Sequence, residues 1–407
     1  MSCAPASVRI FLSAAVVFVS LSTRGASAPR TQNANVYPDT FKVVVLEGSP
    51  YERGLKHGRM LKNEIHAVVQ AWKASLVDSN KIDAETFIAR FLAHTDFLPS
   101  IKRWTPDLLD EVRGLAEGAD IDFKTMLAFQ LPDEQWVYAL TMTSERCSGM
   151  GFDKSDRSPA LTAQNMDVPP FYNGFQTILH VKGLDGLDVF VLTSAGFIGM
   201  NGMNSRSVSV CTNTLAQLAP ARDGLPVAFI VRGILAQHAQ ADAIRFLKTV
   251  KHASGQNYIV GGPEHPRDFE CSAGKVVEFV PFEGATVVYH TNHALASDDF
   301  SDDYRGWMKA TEAIAQEAGF SGTRARYQAL ETRLRGVSAA HDVELAKATL
   351  RSHDSSMFPI CRHFGGAGGF TYASTIMVLS AQPYLIVAPG PPDLTTYQTL
   401  TFSPRTK

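Results

Sequence analysis

The order in which short apolar runs follow one another constrains this chain more than any other feature. Phe41-Lys42-Val43-Val44-Val45-Leu46 is strand-like, rich in β-branched residues and closed by Gly48-Ser49-Pro50. A helix is predicted next. Ser49 stands before Pro50 at the first helical position, and Glu52 lies three residues after Ser49, the spacing of a capping box. Leu55, Leu61, Ile65, Val68 and Trp72 then recur at helical spacing, and further helices are predicted over 84–93, 106–118 and 123–131. Past position 147 the pattern changes to short strands over 177–181, 188–193 and 207–212, divided by Gly and Asn. Helical periodicity returns over 226–236 and 241–250, and strands follow over 258–260, 276–280, 285–290, 374–379 and 384–387. Strands, helices and strands again predict layered sheet with helices on its outer faces. The strands are too short to support separate cores, so a single domain is expected.

With 45% hydrophobic residues in 407, the chain has material for a large core. A formal net charge of −2 and no run of Lys or Arg exclude the electrostatic footprint of a nucleic-acid binder, and point to small, weakly charged substrates. At the start, Arg9 precedes the apolar stretch Ile10 to Val19, and Ala26-Ser27-Ala28 supplies small residues for cleavage. Residues 1–28 therefore read as a signal peptide, the apolar stretch being shorter than the roughly 18 residues that span a bilayer. A secreted or periplasmic protein with no membrane association after signal cleavage is expected. Beyond residue 28 the cysteines are Cys147, Cys211, Cys271 and Cys361, without Cys-x-x-Cys spacing. If Cys147 is a free nucleophile, at most one disulfide can form among the other three; the alternative is two structural disulfides.

Cys147 stands in Ser144-Glu145-Arg146-Cys147-Ser148-Gly149-Met150-Gly151-Phe152, followed after a turn by Gln164-Asn165-Met166-Asp167. A cysteine nucleophile needs its thiolate, a nearby base and donors aimed at the oxyanion. An internal cysteine must borrow a His. If the bond between Arg146 and Cys147 is cut, the new α-amino group, titrating near pH 7.7 to 8.0, can itself be the base. The cut can use the same atoms: the thiol attacks the Arg146 carbonyl, an N-to-S acyl shift follows, and water releases the new terminus. Neither a metal nor a cofactor is expected. His290-x-x-His293 has no carboxylate or cysteine partner in view, Gly365 to Gly369 lacks the Lys-Ser/Thr of a phosphate-binding loop, and Glu52 and His57 read as capping or packing residues.

Several segments together resemble the acyl-coenzyme A:6-aminopenicillanate acyltransferase family, autoproteolytic cysteine enzymes of the N-terminal nucleophile hydrolase superfamily. They are Gly48-Ser49-Pro50-Tyr51-Glu52-Arg53-Gly54 with His57-Gly58, Cys147-Ser148 with Gln164-Asn165-Met166-Asp167, Gly202-Met203-Asn204-Ser205, Asn257-Tyr258-Ile259-Val260, His290-Thr291-Asn292-His293 and Ala388-Pro389-Gly390-Pro391-Pro392. The resemblance implies an α+β fold, a four-layer αββα sandwich. It also implies two chains from one precursor: a mostly helical segment 29–146 and a catalytic segment 147–407, forming one compact domain. Cys147 resembles the nucleophile that becomes N-terminal, Asp167 the acidic residue that orients its amine, and Asn292 the oxyanion donor. Relatives carry an arginine shortly before the last core strand, where this chain has Gly368-Gly369-Phe370-Thr371; Arg362 is the nearest substitute.

The leading expectation is an exported, self-cleaving amidohydrolase or acyltransferase that cuts linear non-peptide amides through a thioester, its partner a small-molecule amide. Asn257, Phe171, Tyr172 and Trp136 are candidate substrate-binding residues by proximity to the motifs. One alternative keeps Cys147 internal, with His290 or His293 as base. Another is a secreted, non-catalytic binding protein that retains the fold, for which the missing arginine argues. In simpler roles, Asp167 would cap the turn at Val168-Pro169-Pro170, and Asn292 and Asn257 would satisfy backbone groups at strand ends.

Overall fold

The computed structural model describes residues 37–139, 147–183, 185–336, 341–365 and 369–402. The predicted signal peptide and Arg146 lie outside them. The capping box at Ser49 is formed: its hydroxyl accepts from Glu52 N–H, and Glu52 Oε2 accepts from Ser49 N–H at 2.8 Å. The single helix expected from there is two, because Leu61, at φ −116° and ψ 25°, separates α1 (Pro50–Met60) from α2 (Lys62–Asn80). Ahead of them runs β1 (Lys42–Leu46); after them come α3 (Ala84–His94), α4 (Phe97–Trp104), α5 (Pro106–Ala119), α6 (Phe123–Phe129) and α7 (Pro132–Tyr138).

Directly after Cys147 come β2 (Ser148–Phe152), β3 (Ala160–Val168), β4 (Gln176–Lys182), β5 (Asp188–Ser194), β6 (Asn201–Asn204) and β7 (Ser209–Thr214). The helices α8 (Val227–Leu235) and α9 (Gln240–Thr249) lead to β8 (Gln256–Gly261), β9 (Arg267–Cys271), β10 (Val276–Phe279) and β11 (Val287–His290). A second helical block, α10 (Asp302–Ala310), α11 (Ala313–Leu334) and α12 (Val343–Leu350), precedes β12 (Phe370–Leu379), β13 (Tyr384–Ala388) and β14 (Gln398–Thr401). Sequence periodicity does not predict this block. None of α10 is buried, and α11 buries only a narrow stripe. Nor does it predict β3, β6 and β9, whose buried polar residues break the apolar alternation that marks a strand.

Two sheets result. One is ordered β1-β4-β5-β6-β7-β8-β9-β10 and the other β11-β2-β3-β12-β13-β14. Among the described strands, the β1–β4 pair alone is parallel. β2 and β3 pack face to face on β7 and β8, with α8 and α9 against the larger sheet and α11 and α12 against the smaller. The chain is thus α+β, a four-layer αββα sandwich. Met150, Phe152, Leu161, Ile376, Leu330 and Leu350 form one apolar core between the smaller sheet and its helices. The space between the sheets also holds polar contacts: Thr162 and Ser209 hydroxyls lie 2.7 Å apart, and Asn201 Nδ2 donates to Gln164 Oε1 at 2.8 Å.

Glycine explains the opening of α1. A Cβ on Gly54 would stand 1.9 Å from the Glu111 carbonyl oxygen, and one on Gly114 would stand 2.0 Å from that of Tyr51, so α1 and α5 touch backbone to backbone. The same junction buries Glu111, which accepts from Arg232 Nη1 and Nη2 at 2.7 and 3.0 Å and lies 3.5 Å from Arg53 Nε. Desolvation would raise the Glu111 pKa, but the two guanidiniums win and hold it low. Beside them His57 Nε2 accepts from Gly196 N–H at 3.1 Å. The packing and capping roles expected of His57 and Glu52 are those the structure gives them.

Gly54→Ala should therefore cost about 2 kcal/mol or more, because the added methyl meets backbone that cannot rotate away; denaturant unfolding would show a lower midpoint. Burial, opposed by the Glu111 charge and helped by Arg232, pushes the His57 pKa down to about 4. The unfolded ring titrates near 6.5, so its contribution is complete above that pH and is lost as pH falls toward 4. The loss amounts to about 3 kcal/mol. His57→Gln, which keeps an acceptor for Gly196, should flatten the fall in Tm between pH 7 and 4.5.

Candidate active site

Cys147 precedes the first registered pair of the β2–β3 ladder, Ser148↔Asn165. It is 6% exposed, with Sγ 3.4 Å from Met166 Sδ and 3.8 Å from the Asp167 carbonyl oxygen. Burial, with the Asp167 charge adding to it, pushes the thiol up to about 12. In the uncut chain the Cys147 nitrogen is an amide, so the residue carries no base of its own. Gly149, two residues on, must be small: a Cβ there would stand 3.2 Å from Ile259 Cδ1 and 3.3 Å from Asn213 Nδ2 of the facing sheet.

A buried arginine that sequence reasoning missed joins this cysteine to its predicted oxyanion donor. Arg326, 1% exposed, donates from Nη1 to the Cys147 carbonyl at 2.6 Å and to Ser148 Oγ at 3.1 Å. Its Nη2 donates to Asn292 Oδ1 at 3.1 Å. With the amide oxygen so engaged, Asn292 Nδ2 turns toward Thr214, donating to its carbonyl at 3.1 Å. The buried residues of α11, Phe320, Thr323, Arg326, Leu330 and Leu334, follow helical spacing, but two of the five are polar, which keeps them from reading as an apolar stripe.

The turn holding Asn292 is pinned from two sides. Thr323 Oγ1 accepts from Asn292 N–H at 2.8 Å and bonds His293 Nδ1 at 3.0 Å. Beneath it, Glu270 accepts three backbone N–H groups, from Leu295, Ala296 and Ser297 at 2.5, 3.0 and 2.6 Å, and faces His290 Nε2 at 3.0 Å. Burial disfavours both charges of this pair, yet the bond to His290 keeps Glu270 low, and the Asp268 charge together with Glu270 keeps His290 high. Burial drives His293 down to about 3. Neither ring hydrogen-bonds Cys147, so the internal-cysteine reading finds no base among the described residues.

Asp167 is 1% exposed and lies inside β3, opposite Thr371 of β12, not in a turn. It shares a face of the strand with Asn165, two residues earlier. Asn165 Nδ2 donates to the Leu350 and Ile360 carbonyls at 2.8 and 3.0 Å, drawing the loop that carries Arg362 onto that face. Thr371 N–H donates to the Arg362 carbonyl and Thr371 Oγ1 accepts from Arg362 N–H, both at 2.9 Å. The Arg362 backbone is thus held at Thr371, the residue opposite Asp167.

Asn257 sits within β8, not at its end; its Oδ1 accepts from Asn213 Nδ2 at 2.7 Å and its Nδ2 donates to Asp268. Burial lifts Asp268 to about 7. Asp133, from α7, accepts from Thr214 Oγ1 at 2.5 Å. Tyr172 is a core residue, its ring 6.4 Å from Phe129 and 6.3 Å from Tyr372, while Phe171 and Trp136 are half-buried. All four described cysteines are free thiols, so the two-disulfide alternative fails, as does any pair among Cys211, Cys271 and Cys361. A depression of about 680 Å3, lined by Lys154, Arg157, Arg206 and Glu264, opens at the other end of β2 and takes no part in this cluster.

An αββα sandwich in which a buried cysteine immediately precedes a strand of the smaller sheet has the layout of the N-terminal nucleophile hydrolases. Within that class the chain belongs to the acyl-coenzyme A:6-aminopenicillanic acid acyl-transferase family, whose model matches residues 153–382, more than half of the chain. That span holds Asp167, Asn257, Asn292, Arg326 and Arg362, and starts just beyond Cys147. The acyl-coenzyme A:6-aminopenicillanic-acid-acyltransferase 40 kDa form of Emericella nidulans is 24% identical over 295 residues, 70% of this chain and 80% of that protein. Among solved structures, the conjugated bile acid hydrolase of Clostridium perfringens is 11% identical over 63% of this chain and 97% of its own, with a TM-score of 0.38. The penicillin V acylase of Agrobacterium tumefaciens is 11% identical over 61% and 88%, with a TM-score of 0.36.

Removing the Arg326 guanidinium leaves the Cys147 carbonyl and Asn292 Oδ1 without it in a site closed to water. Arg326→Ala should lower unfolding stability by about 3 kcal/mol. Arg326→Lys, which lacks the planar fork, should recover only part of that in thermal denaturation.

Proposed function

We infer that this protein is an exported amidohydrolase or acyltransferase of linear, non-peptide amides, activated by cleavage of its own chain before Cys147. The observation that carries the reading is the Arg326 guanidinium bonded to both the Cys147 carbonyl and Asn292 Oδ1, which makes nucleophile and oxyanion donor one rigid unit. Family membership supports the chemistry, and the apolar stretch with Ala26-Ser27-Ala28 supports export.

Before cleavage a pKa near 12 leaves roughly one molecule in 10⁵ as thiolate at pH 7, which makes the self-cleavage slow and leaves the uncut chain without a working base for substrate. The Cys147 thiol attacks the Arg146 carbonyl, its proton passing to the departing Cys147 nitrogen, and water then hydrolyses the resulting thioester, freeing the α-amine and the Arg146 carboxylate. That amine takes the thiol proton as Sγ attacks the substrate carbonyl. Asn292 Nδ2 donates to the resulting oxyanion, the ammonium returns the proton to the leaving amine, and a thioester remains. Water, deprotonated by the same amine, then releases the acid, or a second amine accepts the acyl group. Asp167 orients the ammonium, and its charge must be balanced against keeping the amine a working base. Export separates the enzyme from cytosolic coenzyme A and favours water as acceptor.

Purified protein should run as two fragments, the larger with Cys147 at its N-terminus, while Cys147→Ala stays a single chain without activity on a panel of N-acyl amides. Asn292→Ala should lower kcat by about 10² to 10³ with little change in KM. An uncut chain that is fully active would refute the proposal.

A further inference from the structure

Outside the Cys147 cluster, four metal-ligating side chains converge where the loop after α12 meets the turn after β13. They are His353, Cys361, His363 and Asp393, and their ligating atoms all lie within 4.8 Å of one another. His353 Nε2 and His363 Nε2 stand 2.9 and 2.7 Å from the same oxygen, Asp393 Oδ2, and Cys361 Sγ stands 3.0 Å from Oδ1. The ring centroids of the two histidines are 5.1 Å apart. We propose that these four residues form a closed, tetrahedral binding site for a zinc-type divalent cation.

The donor set selects that chemistry. Two imidazoles, a thiolate and a carboxylate are the ligands zinc takes in four-coordinate sites, and a thiolate disfavours calcium or magnesium. Charge balances as well: a dication, one thiolate and one carboxylate sum to zero. Ligand bonds of about 2.0 to 2.3 Å put tetrahedral ligand atoms roughly 3.3 to 3.8 Å apart, so the present contacts must open, and the wider pairs within the 4.8 Å span must close, by about 1 Å or less. Without a metal, three groups converge on one carboxylate, and one of them is a thiol, a weak donor. Cys361 is buried at the floor, while the His353 and His363 side chains are 41% and 45% exposed at the rim, which gives an ion an entry path.

Binding costs the Cys361 thiol its proton, which passes to solvent as the metal–sulfur bond forms; the imidazoles bind in their neutral form. Affinity should therefore rise with pH. The ion would tie together the segment after α12, the strip Cys361–His363 and the turn after β13, where Arg351 Nε already donates to the Pro392 carbonyl at 2.9 Å. Because Arg362 lies between two of the ligands and is hydrogen-bonded to Thr371, opposite Asp167, the ion would also fix the backbone beside that carboxylate. The site escapes notice in the sequence because its members are scattered from 353 to 393, and the absence of a metal expected from the His290–His293 pair says nothing of it.

The test uses tag-free full-length protein stripped with a chelator and titrated with Zn²⁺ and, separately, Co²⁺. One equivalent of Zn²⁺ should bind and raise Tm. The Co²⁺ form should show a thiolate-to-metal charge-transfer band and the intense visible bands of a tetrahedral site. Cys361→Ser should abolish the charge-transfer band, whereas Cys147→Ala should retain it. His353→Ala/His363→Ala, which alters only rim side chains, should weaken Zn²⁺ binding at least about tenfold and remove the rise in Tm. Wild-type protein that takes up no equivalent, or equal binding by Cys361→Ser and the double histidine variant, would overturn the site.

Discussion

The geometry around Cys147 depends on the guanidinium of Arg326. Cys147 comes from the edge of β2, Asn292 from the turn after β11, and Arg326 from α11, three parts of the chain with no local reason to meet. A planar group with donors on both Nη atoms holds the Cys147 carbonyl and the Asn292 side chain at fixed separation. Lysine, a single flexible point charge, could not set both. Burying the cation is offset by these acceptors and by α11 itself, whose Thr323 clamps the same turn through Asn292 N–H.

Around this centre the sandwich interior mixes polar and apolar contacts. Thr162, Gln164 and Ser209 bridge the sheets, while Asn165 faces the other way and anchors the Leu350 and Ile360 carbonyls. Alternation along β3 thus gives its residues two jobs: the set with Gln164 faces the second sheet, the set with Asn165 the loop bearing Arg362. Such strands tolerate little sliding, since a one-residue shift would exchange the two sets.

Much of this was legible beforehand. The capping box at Ser49, the helices near 84, 106 and 123, and the strands near 177, 188 and 384 all have local causes: a cap, a periodic stripe, a β-branched run. Two kinds of feature were not legible. Strands such as β6 and β9 are buried on terms that their polar side chains hide, and α10 to α12 expose too much surface for periodicity to mark them. Arg326 followed the second failure, because without α11 there was no helix face on which to place it. The arginine sought near the last core strand pointed to Arg362, whose position beside Asp167 is a matter of tertiary contact that sequence distance cannot report.

The parallel pairing of β1 with β4 and the Glu111–Arg232 ion pair both link the segment before residue 146 to the segment after it. A chain cut at that point would stay assembled, because β1 is a full strand of the larger sheet and α1, which meets α5 backbone to backbone, packs against β1. Unfolding is another matter. In the intact chain the ends of that sheet are tethered at high effective concentration; once the tether is gone, β1 must find β4 as a separate molecule. The proposed cleavage would therefore convert a reversible folding reaction into a one-way one, with the lifetime of the cut protein set by how slowly it opens.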